Sequence, residues 1–571
     1  MTISIPPPRW VLRPVAAEAM RRVSACTTGK LSPLVQRLLA QRDPGSDEAV
    51  ARFLQPKLQE LSDPFLIPGM EAAVNRLLLA ADRGERLVLF GDYDVDGVSS
   101  LTLLRTVLIA YGLSPRCFLP LRMEEGYGLS ANGLQRCLDE GPVDLLVAVD
   151  CGTTAKSETA WLAERGIEVI ILDHHEPDPA RTPVCAALVN PKLGDSFHYL
   201  CSAGVVFKLA HAMGKRRRAE NFDLKAQLDL VALATVADIV PLVAENRLFV
   251  RKGLEQLAQG TRPGLRALIE VAGVRPPLDS MDLGFRLGPR LNASGRLDSA
   301  DASLDLLLCT DPTRAATLAA SLDRQNRERQ DVEHGIQHEA QELADRFASE
   351  DNPAALVVAS EGWHPGVVGI VAARLMRRYH RPIFVIAIDE NGIGKGSGRS
   401  VEGLSLVAAL DACRPLLIAG GGHEAAAGIT IHRDNLPAFR QQFNDHIRSQ
   451  ITGAELEPKL YIDAQTNLAD LTLDFLDAYE QLQPFGQGNS RPLFAACGIQ
   501  PVSEPKLLRE RHWRFDFYQD GTTKGGIWFN GAHDPLPHPP WDVAFYVDRN
   551  TFRGETHVQL LVQGMRTSQP L

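Results

Sequence analysis

The 571-residue chain is 45% hydrophobic and 23% charged, with a net charge of −10; this is ordinary globular composition with length for roughly three or four domains. No run approaches the roughly 20 apolar residues of a membrane span, and the start Met1-Thr-Ile-Ser-Ile-Pro-Pro-Pro lacks the basic-then-apolar pattern of a secretory signal, so a cytoplasmic location and no membrane partner are expected. Nine scattered cysteines with no Cys-x-x-Cys pair argue against a disulfide framework and against structural zinc.

In chain order, residues 1–70 are punctuated by proline and read as an N-terminal cap. Residues 71–311 begin with short apolar strands alternating with helices: strands at 87–90, 143–149, 167–172 and 186–189 and a strand or loop at 117–121, with helices between them. Such alternation predicts a parallel α/β sheet, whose ligands belong at the strand carboxyl ends. Residues 312–350 are charged and Gln-rich and read as a long connector helix, polar nearly all round at 323–331. A second, smaller α/β domain is expected over 351–452, with strands at 355–359 and 383–388 and two glycine-rich loops. Residues 453–571 hold alternating strands separated by turn residues, the pattern of a small β-barrel or sandwich.

The chemistry lies at the strand ends. Leu87-Val-Leu-Phe90 runs into Gly91-Asp92-Tyr-Asp94-Val-Asp96-Gly97, and Ile167–Leu172 runs into Asp173-His174-His175. Asp92, Asp94 and Asp96 are spaced by two, so alternate side chains converge as the strand ends. An EF-hand would need Glu at position twelve, which is Leu103 here. Asp150 closes the apolar strand 143–149, and Asp238 stands in the apolar segment Ala234-Thr-Val-Ala-Asp238-Ile-Val-Pro241, where an acid needs a partner to offset its desolvation. Oxygen ligands with an added imidazole suit Mn2+ or Mg2+. The acidic net charge counts mildly against a nucleic-acid substrate without deciding the matter, because bound cations reverse the local field. The basic run Lys215-Arg-Arg-Arg218 reads as a solvated helix end.

These motifs, Asp92-Tyr-Asp94-Val-Asp96-Gly97, Asp150-Cys-Gly-Thr-Thr154, Asp173-His-His175 and Ala237-Asp-Ile-Val-Pro-Leu242, resemble those of the DHH phosphoesterase superfamily, as do Leu291-Asn-Ala-Ser-Gly-Arg296 and Gly420–Gly428. With Gln483-Pro-Phe-Gly-Gln-Gly-Asn489 they resemble its branch of single-strand-specific 5′→3′ exonucleases. The resemblance implies a DHH domain, a DHHA1-type second domain and a C-terminal OB-like barrel. It implies two ions held by Asp92, Asp94, Asp150, His174 and Asp238, with Asp150 bridging. His175 would contact phosphate or lie just outside the ligands, and Asp96 would support the catalytic site from outside the ligand shell. Some relatives carry His where this chain has Phe90, which thins the shell of the second ion. For the substrate it implies Arg122, Ser397 and Arg399 near a 5′ phosphate, Arg290, Asn292 and Arg296 along the backbone, and phosphate binding at Gly422 and His423, where Gly420–Gly428 reads as a glycine loop opening a helix. Gly394–Ser400 on its own reads as a glycine turn. Trp513, Phe515 and Trp528 could stack bases, with Lys506, Arg511 and Arg514 tracking the strand, although alternating aromatics usually form core.

The function implied is metal-dependent 5′→3′ degradation of single-stranded DNA to 5′-mononucleotides in recombinational repair, by a monomer. Its partners would be a 5′-ended strand and, from the same resemblance, single-strand-binding protein and a RecQ-type helicase. The alternatives are a superfamily phosphodiesterase acting on short oligonucleotides or cyclic dinucleotides, and a non-catalytic single-stranded DNA scaffold; the scaffold predicts eroded metal positions.

Overall fold

The computed structural model describes residues 7–568 except 122, 123, 127, 298, 352, 452–456 and 534. The chain divides into two compact units, one of Leu12–Asp323 with Tyr461–Leu571, the other of Arg324–Leu460 with the N-terminal residues up to Val11.

In the first unit, five parallel strands stand in the order Arg116–Phe118, Leu87–Gly91, Leu145–Val149, Glu168–Leu172, Ala187–Val189. Leu87–Gly91 and Leu145–Val149 are buried throughout, as expected of strands covered on both faces. Register sets the site. Gly91 pairs with Val149, Val149 with Leu172, and Leu172 with Val189, so the next residues, Asp92, Asp150, Asp173 and Asn190, form one row along the carboxyl edge. Helices Val95–Ala110 and Ser202–Arg216 pack on the sheet, and Leu228–Ala237 packs on both of them, around a single apolar core. The fully buried Lys208 joins this helical layer to the next, its Nζ 2.8 Å from Glu245 Oε2 and 2.9 Å from the Ser62 carbonyl.

Residues 494–567 form a closed barrel. Strand Phe494–Pro501 pairs with Trp541–Phe552, which pairs with Glu555–Thr567, then Thr522–Trp528, then His512–Gln519, which returns to Phe494–Pro501. The 522–528/555–567 pair is parallel and the other pairs in the ring are antiparallel, the Greek-key closure of an OB fold. Phe515, Phe517, Trp541 and Phe545 fill the barrel. Phe515 is thus core, while Trp513 and Trp528 lie partly buried against that core. The apolar side chains of Val23, Val35 and Leu38 from the N-terminal helices join the same cluster, so the N-terminal segment shares a core with the barrel.

In the second unit, the strand order is Leu417–Gly422, Ala426–His432, Ile393–Arg399, Ile383–Ile388, Leu356–Glu361, with only the last pair parallel. Two readings of glycine-rich sequence are corrected here. Gly394–Arg399 lies in the strand Ile393–Arg399 rather than in a turn. Gly394, Gly396 and Gly398 alternate on the face where a Cβ would come within 2.9 Å of Ile386, Ile429 or Phe384 side chains, which leaves Lys395, Ser397 and Arg399 together on the other face. Gly420–Gly428 is an antiparallel hairpin rather than a helix start. His423 N donates to Ala426 O at 2.8 Å, and a Cβ on Gly422 (φ +147°) would lie 2.5 Å from that carbonyl. Small residues suit a crossing of backbones as well as a helix start, and composition alone does not separate the two.

One helix runs from Pro312 to Asp351. Its polar stretch is not solvated all round: Asp323, Asn326, Arg329 and Glu333 are buried. Pairing offsets their desolvation. Arg329 Nη1 lies 3.1 Å from Glu333, Arg374 lies 2.5 Å from the same carboxylate, and Asp323 accepts from Arg290 Nε at 2.9 Å. No helix among the described residues is long and apolar enough to cross a membrane.

Candidate metal centre

The row at the sheet edge is built by local turns. After Leu87–Gly91, Asp94 caps the helix Val95–Ala110, its Oδ1 accepting from Asp96 N (2.9 Å) and Gly97 N (3.1 Å). A Cβ on Gly97 would lie 2.2 Å from Asp92 O, so glycine lets the helix start fold onto the strand end. Asp150 sits at φ +62°, a left-handed position uncommon outside glycine and best tolerated by Asn, Asp and His, with Oδ1 accepting from Ser202 Oγ at 2.9 Å. Asp238 ends the helix Leu228–Ala237.

These turns bring the acids onto His174. Its Nε2 lies 3.4 Å from Asp150 Oδ1, 3.5 Å from Asp238 Oδ2 and 3.8 Å from Asp96 Oδ2. Ligand atoms of Asp92, Asp94 and Asp150 lie within 4.8 Å of one another, as do those of Asp96, His174 and Asp238, and those of Asp150, His174 and His175. His174 Nε2 and Asp238 Oδ2 are buried without a hydrogen-bond partner among the described residues. Burial, and then the neighbouring acids Asp96, Asp94 and Asp92, push the Asp150 carboxyl well above its usual range. Burial and Asp96 raise Asp94, and burial with Asp96 and Asp94 pushes Asp238 up to about 8. Burial lowers His174, favouring the neutral imidazole that ligates metal. A divalent cation relieves this mutual repulsion and supplies the partner that the orphaned atoms lack; the donor set of carboxylates with one neutral imidazole fits Mn2+ or Mg2+.

Asp96 and His175 are tied differently. Asp96 is 1% exposed and accepts from Ser202 N (2.7 Å), Ala203 N (2.9 Å) and Ser100 Oγ (3.3 Å), so it pins the N-terminus of helix Ser202–Arg216 under the centre. His175 is fixed by Nδ1, 2.7 Å from Asp173 Oδ1. Burial opposes its charge, yet Asp173 raises it overall. Asp173 itself is desolvated but held well below the usual carboxylate range by His175 and Thr153 N. Sequence reasoning passed over three supports: Asp173 as an anchor, Ser202, and the fully buried Asn190, which donates to Thr153 Oγ1 (2.9 Å) and His175 O (2.8 Å). Asn190 closes the fourth strand of the row, and its place after Leu188-Val189 was the available signal. Phe90 is wholly buried beside Phe118 and offers no ligand.

Asn292 Oδ1 accepts from Val95 N at 3.1 Å, which holds the turn that carries Asp94. Arg290 is engaged with Asp323 and with Arg286 O. Arg122 and the side chain of Arg296 lie outside the described residues. In the second unit, Arg399 Nη1 donates to Ser397 Oγ at 3.0 Å, and a Cβ on Gly369 would come within 3.0 Å of Ser397 Oγ and 3.4 Å of Arg399 Nη2. The two side chains therefore lie against the first turn of helix Val368–Tyr379. Gly422 and His423 are exposed at the hairpin tip.

Fold and site together define a metal-dependent phosphodiester hydrolase of the DHH class. The chain matches the DHH family N-terminal domain over residues 86–235, the DHHA1 domain over 352–449 and the RecJ OB domain over 462–564. It is 37% identical to the single-stranded-DNA-specific exonuclease RecJ of Dickeya dadantii, over 96% of this chain and 99% of that protein. It is 38% identical to the protein of that name from Bacillus subtilis, over 81% of this chain and 58% of the longer relative. Crystal structures of RecJ from Thermus thermophilus superpose with TM-scores of 0.84 for the Mn2+ complex (28% identity, 99% of this chain, 80% of that one) and 0.78 for the Mg2+ complex (27% identity, 98% and 79%). The chain belongs to the RecJ family.

Proposed function

We propose that this protein degrades single-stranded DNA from its 5′ end to 5′-mononucleotides in a Mn2+- or Mg2+-dependent reaction, in the cytoplasm and in the service of recombinational repair. The observation that carries the reading is the convergence of buried Asp150 with half-buried Asp238 and His174 at one sheet edge, beside Asp92 and Asp94. Asp92, Asp94, Asp150, His174 and Asp238 would hold two ions, with Asp150 shared between them. When bound, the ions supply a lowered water pKa and neutralise charge at the scissile phosphate.

The protein's own groups orient and exchange protons. Asp173 fixes the His175 ring and favours its charged form, so Nε2 holds a proton for a phosphate oxygen or the departing 3′ oxygen. Asp96 steadies the helix whose Ser202 hydroxyl donates to Asp150. Ser397 and Arg399 suit the 5′ phosphate through hydroxyl and guanidinium donors, with Arg122, Arg290, Asn292, Arg296, Gly422 and His423 completing the strand contacts. Single-strand-binding protein and a RecQ-type helicase are the partners that would deliver such ends, and the protein would act as a monomer.

The test is digestion of 5′-phosphorylated DNA of graded length, labelled at either end, with Mn2+ or Mg2+. We expect long single strands to release 5′-label as mononucleotide at once while 3′-label stays in shortening products, with blunt duplex resistant. Cleavage confined to two- to five-mers, or loss of 3′-label first, would overturn the reading.

A further inference from the structure

The motif Gln483–Asn489 lies in the chain segment before the barrel, yet it meets the turn that follows Asp238. Five residues, 239–243, lead from Asp238 at the end of helix Leu228–Ala237 to helix Ala244–Gln259. Ile239, the first of them, is β-branched, 70% exposed and held at φ +59°. A β-branched residue at such a φ is an outlier that persists only where the surroundings over-determine it. Its own side chain, out in solvent, does not supply that restraint.

The restraint comes three residues on. Leu242 N donates to Gln487 O at 2.7 Å, and Asn246 Nδ2 donates to Pro241 O at 3.0 Å. Gly486 lies so close that a Cβ there would meet Leu242 Cδ1 at 2.7 Å. Gly488 (φ +72°) lies against Pro241 and Val243, whose side chains a Cβ there would meet at 3.1 and 3.2 Å. The loop is itself rigid: Gly486 N donates to Asn489 O (2.9 Å), and the Asn489 amide donates to Leu482 O (2.9 Å) and Pro484 O (2.7 Å). Its Oδ1 accepts from Arg42 Nε at 2.6 Å. Phe485 O accepts from Ser280 Oγ, on the segment leading to the helix whose Asn292 holds the Asp94 turn.

We infer that the Gln483–Asn489 loop is a positioning device for the metal centre: by gripping Leu242 it fixes the strained turn at Ile239 and so the place of Asp238, making cation affinity depend on a segment outside the catalytic domain. The inference rests on the metal-binding reading above. Groups that orient metal ligands without touching the ion typically change affinity 10- to 100-fold when altered.

The test compares Mn2+ binding by the full-length protein without DNA, reading free Mn2+ by electron paramagnetic resonance, with KM for single-stranded DNA measured alongside. Gly486→Ala, which forces Leu242 to move, is expected to weaken Mn2+ binding about 10- to 100-fold, with KM for DNA unchanged and kcat largely restored at saturating Mn2+. Asn489→Asp, which keeps the Arg42 acceptor and loses two donors, tests the same point with an isosteric side chain should Gly486→Ala not fold. Ile447→Val, in a separate apolar cluster of the second unit that holds no residue of the loop, is the control and is expected to bind Mn2+ as the wild type does. Equal affinity for wild type and a folded loop variant, or equal weakening in the control, overturns the inference. Absence of Mn2+ binding by the wild type overturns the metal reading itself, a distinct result.

Discussion

Asp150→Asn is expected to lower kcat/KM for metal-dependent DNA hydrolysis by on the order of 10³-fold or more, about 4 kcal/mol of transition-state stabilisation. Asn retains the acceptor for Ser202 Oγ and is among the residues that tolerate a left-handed backbone such as φ +62°. The substitution therefore removes charge while sparing shape. What disappears is the carboxylate that lies both 3.4 Å from His174 and within the Asp92–Asp94 group, which is the one position common to those two ligand clusters. Steady-state digestion of a 5′-phosphorylated strand across a Mn2+ series, with a thermal melt to confirm folding, checks it. A folded variant retaining more than about a tenth of wild-type activity would falsify the assignment of Asp150.

Metal-free protein is expected to lose thermal stability as pH rises from 5.5 to 8, and Mn2+ is expected to restore more of it at pH 8 than at pH 5.5. Asp238 is raised from 3.8 to about 8, and Asp94 and Asp150 move in the same direction. Between 3.8 and about 8 the folded state thus binds more protons than the unfolded chain, and stability falls as pH rises through that window. Asp173, depressed, acts with the opposite sign, but its contribution is lost only on acidification below its ordinary value; His174, lowered from 6.5, opposes the trend only below that value, while His175, raised from 6.5, adds to it above. A bound ion replaces the protons, and at a hundredfold excess over its dissociation constant contributes about 2.7 kcal/mol. Melting curves with chelator and with Mn2+ at the two pH values measure this. Asp238→Asn should flatten the chelated profile, and an unchanged slope in that variant would count against a strained carboxylate there.

The legibility of the site in the sequence followed from its construction. Buried parallel strands are short apolar runs, and the residue after each run stands at the carboxyl edge, so Asp92, Asp150 and the Asp173–His175 group could be placed from pattern alone. What pattern did not reveal was register-dependent or long-range. Ser202 reaches Asp150 across 52 residues, Asn292 reaches Val95 across 197, and the contact of Gln487 with Leu242 joins residues on either side of Arg324–Leu460 in sequence. Glycines misled where their reason was contact rather than torsion: Gly394, Gly396 and Gly398 clear room for Ile386, Ile429 and Phe384 within a sheet, and small residues at Gly420–Gly428 serve a hairpin. In the helix Pro312–Asp351, buried ion pairs carry side chains that composition assigns to solvent.

The central claim is that the row of carboxylates at the sheet edge is a metal centre. Crystals grown with Mn2+ and measured across the manganese absorption edge test it most directly. The account predicts anomalous peaks enclosed by Asp92, Asp94, Asp150, His174 and Asp238, and their loss from Asp150→Asn crystals. Peaks elsewhere with none in this cluster would contradict it.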